Sequence, residues 1–136
     1  MFYFNGTQGY GIAYLYDTSE KPQGYGGGSG GNFDSSSALF AMDIRTGAVK
    51  WKHVHKGGGG FGGAMSGGVL TTAGRLLFTG DSGELVAFDP ANGTPLWHQR
   101  LTSPVSNGPS TWMLDGKQYL IVGAGDTLYA LTIAGK

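Results

Sequence analysis

Three histidines, nine carboxylates and no cysteine are the side chains of this 136-residue chain that could bind a metal or move a proton near neutral pH. Without cysteine there is no thiolate ligand, no thiol nucleophile and no disulfide. The pair with the most metal-like spacing is His53 and His55. Two residues apart on a strand, they face the same side, a geometry that some metal sites use. No third ligand can be picked out by spacing, so a solvated strand end is the simpler expectation. His98 follows Trp97 and is expected to point away from it, toward solvent.

The carboxylates divide by context. Asp43 and Asp89 occupy matched positions in a repeat, which a unique catalytic site would not require; capping of a turn explains both. Asp34, Asp81, Glu84, Asp115 and Asp126 each stand near Gly or Ser, and turns are expected for all five. No two carboxylates are spaced as an acid–base pair. The glycine runs lack the Lys-Ser/Thr step and helix that a phosphate loop needs. Ser35, Ser36 and Ser37 form no nucleophile elbow. From the residues alone, no catalytic residue and no metal ligand is expected.

The elements that position these groups repeat. Leu39-Phe-Ala-Met-Asp43-Ile-Arg-Thr46-Gly47-Ala-Val-Lys-Trp51 aligns without a gap on Leu85-Val-Ala-Phe-Asp89-Pro-Ala-Asn92-Gly93-Thr-Pro-Leu-Trp97, 46 residues later. A third copy opens at Leu128-Tyr-Ala130 and stops at Lys136 without a tryptophan. Repeats of this length mark stacked or radial units that cannot bury their cores alone. Twenty-seven glycines with 12% aromatic residues describe short strands joined by tight turns. No segment keeps helical apolar spacing, and Gly or Pro interrupts nearly every ten residues. The fold expected is all-β, a partial β-propeller of about three four-stranded blades.

Along the chain, Phe2 to Tyr16 has strand patterning that Asn5-Gly6 should interrupt as a turn. Residues 17–37 should be a long glycine-rich surface loop, partly mobile. Further strands are expected at 68–72 and 75–79 across Ala73-Gly74, and on either side of Asp115-Gly116. Trp51 and Trp97 recur in register and are expected in the core. Trp112 should pack on a neighbouring blade, its indole N–H partnered. The strand-like start and broken third repeat suggest a chain cut at both ends, with residues 1–136 one partial domain.

Nine basic residues balance nine acidic ones, so no long-range field favours nucleic acid or an anionic membrane. No apolar run reaches the ~20 residues of a membrane-spanning helix. The N-terminus has no basic and apolar leader.

The motif Ala41-x-Asp43-x-x-Thr46-Gly47-x-x-x-Trp51, with its second copy from Ala87 to Trp97, resembles the tryptophan-docking motif of eight-bladed quinoprotein alcohol dehydrogenases. Gly67 to Gly80 and Asp115-Gly-Lys-Gln-Tyr119 are similar to late segments of the same family, so a C-terminal part of such an enzyme is expected. The resemblance implies pyrroloquinoline quinone (PQQ) with calcium or a lanthanide, held by Glu, Asn and Asp beside a base Asp. It also implies a periplasmic location and oxidation of an alcohol or sugar, with cytochrome c or a quinone as electron acceptor. The stretches that carry those ligands have no match here. Ser66 stands where the family places a cofactor-contacting Trp, so only Gly67 and Gly68 carry over as cofactor-binding positions. The chain alone is expected to be inactive and not to hold the cofactor. Its expected partners are the remaining blades or further copies of itself. The alternative is a non-catalytic scaffold, similar to the outer-membrane assembly lipoprotein that shares the repeat.

Overall fold

Runs of β-branched and aromatic residues ended by glycine become strands and turns in the computed structural model, which describes residues 1–8, 11–14, 30–33, 36–56 and 67–132. Twelve strands and no helix occur among these residues. The first five are β1 (Phe2–Gln8), β2 (Gly11–Tyr14), β3 (Gly30–Phe33), β4 (Ser36–Met42) and β5 (Val49–Val54). The next four are β6 (Leu70–Thr71), β7 (Leu77–Asp81), β8 (Glu84–Phe88) and β9 (Pro95–Arg100). The last three are β10 (Ser110–Leu114), β11 (Lys117–Ala124) and β12 (Thr127–Thr132). All pairing is antiparallel, in sheets ordered β1-β4-β5, β6-β7-β8-β9 and β10-β11-β12, with β2-β3 a separate pair. Only the middle sheet has the expected four strands; among the described residues its neighbours have three each.

The repeat is reproduced in register. Ala41 pairs with Trp51 and Ala87 with Trp97, and a bulge follows each alanine. The turn after each bulge is built alike. Asp43 Oδ1 accepts from the Arg45 amide at 2.9 Å, and Asp89 Oδ1 from the Ala91 amide at 2.8 Å. Gly47 and Gly93 close the turns at φ 72° and 76°, where a Cβ would be strained. The two aspartates are turn caps, as their matched positions suggested. Two-residue turns at Ser82-Gly83 and Asp115-Gly116 also take positive φ at both positions, the hairpin geometry that matches strand twist.

Packing between sheets supplies the core. Along β8 successive side chains face opposite ways. Val86 and Phe88 join Leu39 and Leu77 against the first sheet. Leu85 joins Leu101, Val105, Val122 and Ala124 against the third. Each fully buried Leu or Phe in these seams contributes about 1.5–3 kcal/mol. The first seam is finished by Trp51, whose indole N–H donates to the Pro90 carbonyl at 3.1 Å while the ring lies over Gly93. Tyr3 donates to the same carbonyl at 3.0 Å.

Four expectations change. β1 runs straight through Asn5-Gly6: the Asn5 side chain reaches sideways to the next sheet, and the Phe4 and Phe40 rings close over Gly6. The glycine-rich stretch contributes a strand, Gly30–Phe33, and β4 begins at Ser36, because backbone pairing needs no side chain. Residues 17–29 and 34–35, the rest of that expected loop and Asp34 with it, lie outside the described residues, as do residues 9–10 and 15–16 of the first strand pattern. Trp97 is 43% exposed and Trp112 60% exposed; each lies on a strand whose residues are all exposed. Trp51, by contrast, is covered by the next sheet.

A Cβ on Gly93 would stand 2.6 Å from the Trp51 ring. Gly93→Ala should therefore destabilise the chain by about 2–4 kcal/mol, from strained φ and overpacking. Trp51→Ala should cost about 3 kcal/mol. In a double-mutant cycle read by urea unfolding, the pair should lose less than the sum, since removing the indole relieves the clash.

Candidate functional site

Two constellations could serve a site, and both sit where sheets meet. The first is the glycine pair. Gly67 and Gly68 precede β6, the first strand of the middle sheet. The Gly67 carbonyl accepts from Asn5 Nδ2 at 2.9 Å, and the Gly68 carbonyl from Thr79 Oγ1 at 3.4 Å. A Cβ on Gly67 would run into the Asn107 backbone, and one on Gly68 would come within 3.0 Å of Gly108 Cα. The pair thus lets the segments entering the second and third sheets touch backbone to backbone. Asn107 extends the seam, its Oδ1 accepting from the Gly123 amide at 2.8 Å.

The second constellation corrects the reading of His53, His55 and Asp81. His53 in β5 and His55 just past its end do face one side, but that side is turned into the seam. The His55 side chain is 0% exposed, His53 23% and Asp81 5%. His53 Nε2 lies 3.1 Å from Asp81 Oδ2, and His55 Nδ1 lies 3.4 Å from Asp81 Oδ1. Asp81 was expected to cap a turn. It does stand beside one, yet its carboxylate turns inward and also accepts from the Lys56 amide (3.1 Å) and Ser82 Oγ (3.0 Å). Spacing could not find this third group because it comes from the next sheet.

The hydrogen bonds assign the His55 tautomer. Asn5 Nδ2 donates to Gly67 O and, at 2.8 Å, to Thr79 Oγ1, whose own proton goes to Gly68 O. Both amide hydrogens are thereby used, so Asn5 Oδ1 is the atom 3.1 Å from His55 Nε2, which donates to it. Nδ1 is left as the nitrogen facing the carboxylate. Burial pushes the Asp81 carboxyl up. Hydrogen bonds from His53 and His55, the charge on His55 and the Ser82 hydroxyl outweigh it and hold the group well below the usual carboxylate range.

The remaining candidates are structural or peripheral. Asp115 occupies its turn and Asp126 accepts from Thr127 Oγ1. Glu84 begins β8. His98 is exposed on β9, in agreement with expectation. A cavity of about 100 Å³ opens beside the cluster, lined by His53, Lys56, Asp81, Glu84, Phe88 and His98 among others. A larger apolar groove of about 570 Å³ lies beside Trp97, Leu120 and Leu131.

The fold and its seams define a class. A family model described as outer membrane protein assembly factor BamB, of the PQQ_2 type, matches residues 35–135, and the chain belongs to this PQQ-repeat family. Within it, the chain is homologous to quinoprotein alcohol dehydrogenases. Quinoprotein alcohol dehydrogenase PedH of Pseudomonas putida is 38% identical over 95 residues, covering 69% of this chain and 15% of the relative. Quinoprotein ethanol dehydrogenase of Pseudomonas aeruginosa is 40% identical over 93 residues, covering 68% and 14%. Among solved structures, the quinohemoprotein alcohol dehydrogenase of Comamonas testosteroni superposes with TM-score 0.56 at 34% identity, over 67% of this chain and 13% of that one. The chain thus spans about 15% of the length of the curated relatives it matches.

Two outcomes follow from the seam chemistry. Gly67→Ala should destabilise by about 1–3 kcal/mol through its collision with Asn107. The second concerns acid. The native pKa of Asp81 lies below its unfolded value of about 3.9, so its contribution is fully present above about pH 4 and is lost as pH falls through the native value. In buffer containing a chelator, Asp81→Asn should lower stability at pH 7 by about 2 kcal/mol and flatten the acid limb of stability against pH. Urea midpoints from pH 2 to 7 test both.

Proposed function

We propose that this chain supplies consecutive blades of a PQQ-dependent dehydrogenase that oxidises an alcohol or sugar in the periplasm. The observation that carries this reading is 38–40% identity to two quinoprotein dehydrogenases over about two thirds of the chain; the family model matches residues 35–135, which span both Asp-Gly-Trp repeats. Trp51 lying over the next sheet's turn supports reading those repeats as tryptophan-docking units. The chain's partners are then the other blades and, for the assembled enzyme, a cytochrome c or quinone acceptor.

The described residues do not fit the cofactor assembly by themselves. Calcium takes six to eight oxygen ligands, whereas the one metal-like grouping among the described residues has two imidazoles and one carboxylate. Gly67 and Gly68 lead into β6 and could border a cofactor, but the positions a side chain would occupy are filled by Asn107 and Gly108. The chain's role in this reading is to build and brace the wall of the propeller. Metal ligands and catalytic base come from other parts of the enzyme.

The family description also favours a second reading, a scaffold in envelope protein assembly. Replacing the matching segment of the Comamonas enzyme with residues 36–132 separates the two. A dehydrogenase segment should give a chimera that binds PQQ and oxidises alcohols. A folded chimera without PQQ uptake would favour the scaffold. Titrated alone with PQQ and calcium, the chain should show no stoichiometric uptake by absorbance; tight binding would overturn the supporting role.

A further inference from the structure

We propose that His53, His55 and Asp81 form a binding site for a zinc-class divalent cation that ties the first sheet to the second. The donor atoms of these three residues lie within 4.8 Å of one another. Ligands at 2.0–2.1 Å from a tetrahedral ion stand about 3.3 Å apart. Each imidazole nitrogen stands close to that separation from one carboxylate oxygen, 3.1 Å from His53 Nε2 to Asp81 Oδ2 and 3.4 Å from His55 Nδ1 to Asp81 Oδ1.

The surroundings are those of a metal-ligating histidine. Such a ring donates its other N–H to a fixed acceptor, which sets the tautomer and aims the lone pair. Asn5 Oδ1 provides that acceptor for His55 Nε2, and Asn5 is itself locked by Gly67 and Thr79. With Nε2 donating to Asn5, Nδ1 is the His55 nitrogen turned toward the carboxylate, 3.4 Å from Asp81 Oδ1, in place to share a metal ion with it. His53 stacks edge-on against Phe88, ring centroids 4.8 Å apart, which holds its plane toward Asp81.

Two imidazoles and one carboxylate suit zinc or cobalt and disfavour calcium or magnesium, which prefer oxygen. Three protein ligands leave a fourth position. The 100 Å³ cavity beside the cluster, lined by His53, Lys56, Asp81, Glu84 and His98 among others, has room for a water to fill it. Because His53 lies in β5, His55 directly follows that strand and Asp81 ends β7, binding would cross-link the seam and stabilise the folded state by mass action.

Cobalt is the probe, since its visible absorption reports coordination number. The full chain, stripped with chelator, should bind one equivalent of Co²⁺ with the intense band of a four- or five-coordinate ion. Zn²⁺ should displace it, a hundredfold excess of Ca²⁺ should not, and saturating Zn²⁺ should raise the unfolding midpoint. His53→Ala, at the exposed side of the cluster, should weaken Co²⁺ binding at least tenfold, and His53→Gln provides a second variant that retains side-chain volume. Absence of the band in the folded wild-type chain would mean that a shared proton fills the site, overturning the proposal. So would an undiminished band in both folded variants, or displacement by Ca²⁺.

Discussion

A β-sheet buried on both faces cannot exist alone, and β8 makes that constraint explicit: Val86 and Phe88 face one neighbour while Leu85 faces the other. Everything else described in this chain serves the resulting seams. The Trp51 indole lies over a glycine turn, the Gly67-Gly68 backbone meets Asn107-Gly108, and Gly80 makes room for Val105. Each contact works because one partner is glycine. Among the described residues, the glycines at these contacts serve the interfaces, where a Cβ would hold two sheets apart.

The two matched aspartates show how a repeat separates architecture from chemistry. Asp43 and Asp89 make equivalent bonds to backbone amides within their turns. Among the described residues Asp81 has no counterpart bond pattern, and it bridges two sheets instead of closing a turn. Its setting combines a buried carboxylate, two imidazoles and an amide that fixes one tautomer. Breaking such a buried pair is costly because the remaining partner is left without compensation.

Much of this was legible in the sequence. Alternation and turn dipeptides gave the all-β class, and the repeat located β4, β5, β8 and β9 because its register survives intact. The site was not legible, for a physical reason. His53 and His55 declare their shared side through period two, but Asp81 and Asn5 reach them through tertiary contact, at separations no local pattern encodes. Asn5-Gly6 misled for a related reason: a turn dipeptide in isolation became mid-strand once its amide found partners on the next sheet. Trp97 and Trp112 departed from expectation because burial of an indole depends on what stands opposite, and only Trp51 has a described neighbour turn beneath it.

The glycine under Trp51 has a further consequence, for curvature. Sheets that pack through a backbone-thin contact at one rim and through Leu, Val and Phe elsewhere cannot lie parallel; they form a wedge. A methyl group at Gly67 would meet the Asn107 backbone and one at Gly93 the Trp51 ring, so these two hydrogen atoms set how closely, and at what tilt, neighbouring sheets approach.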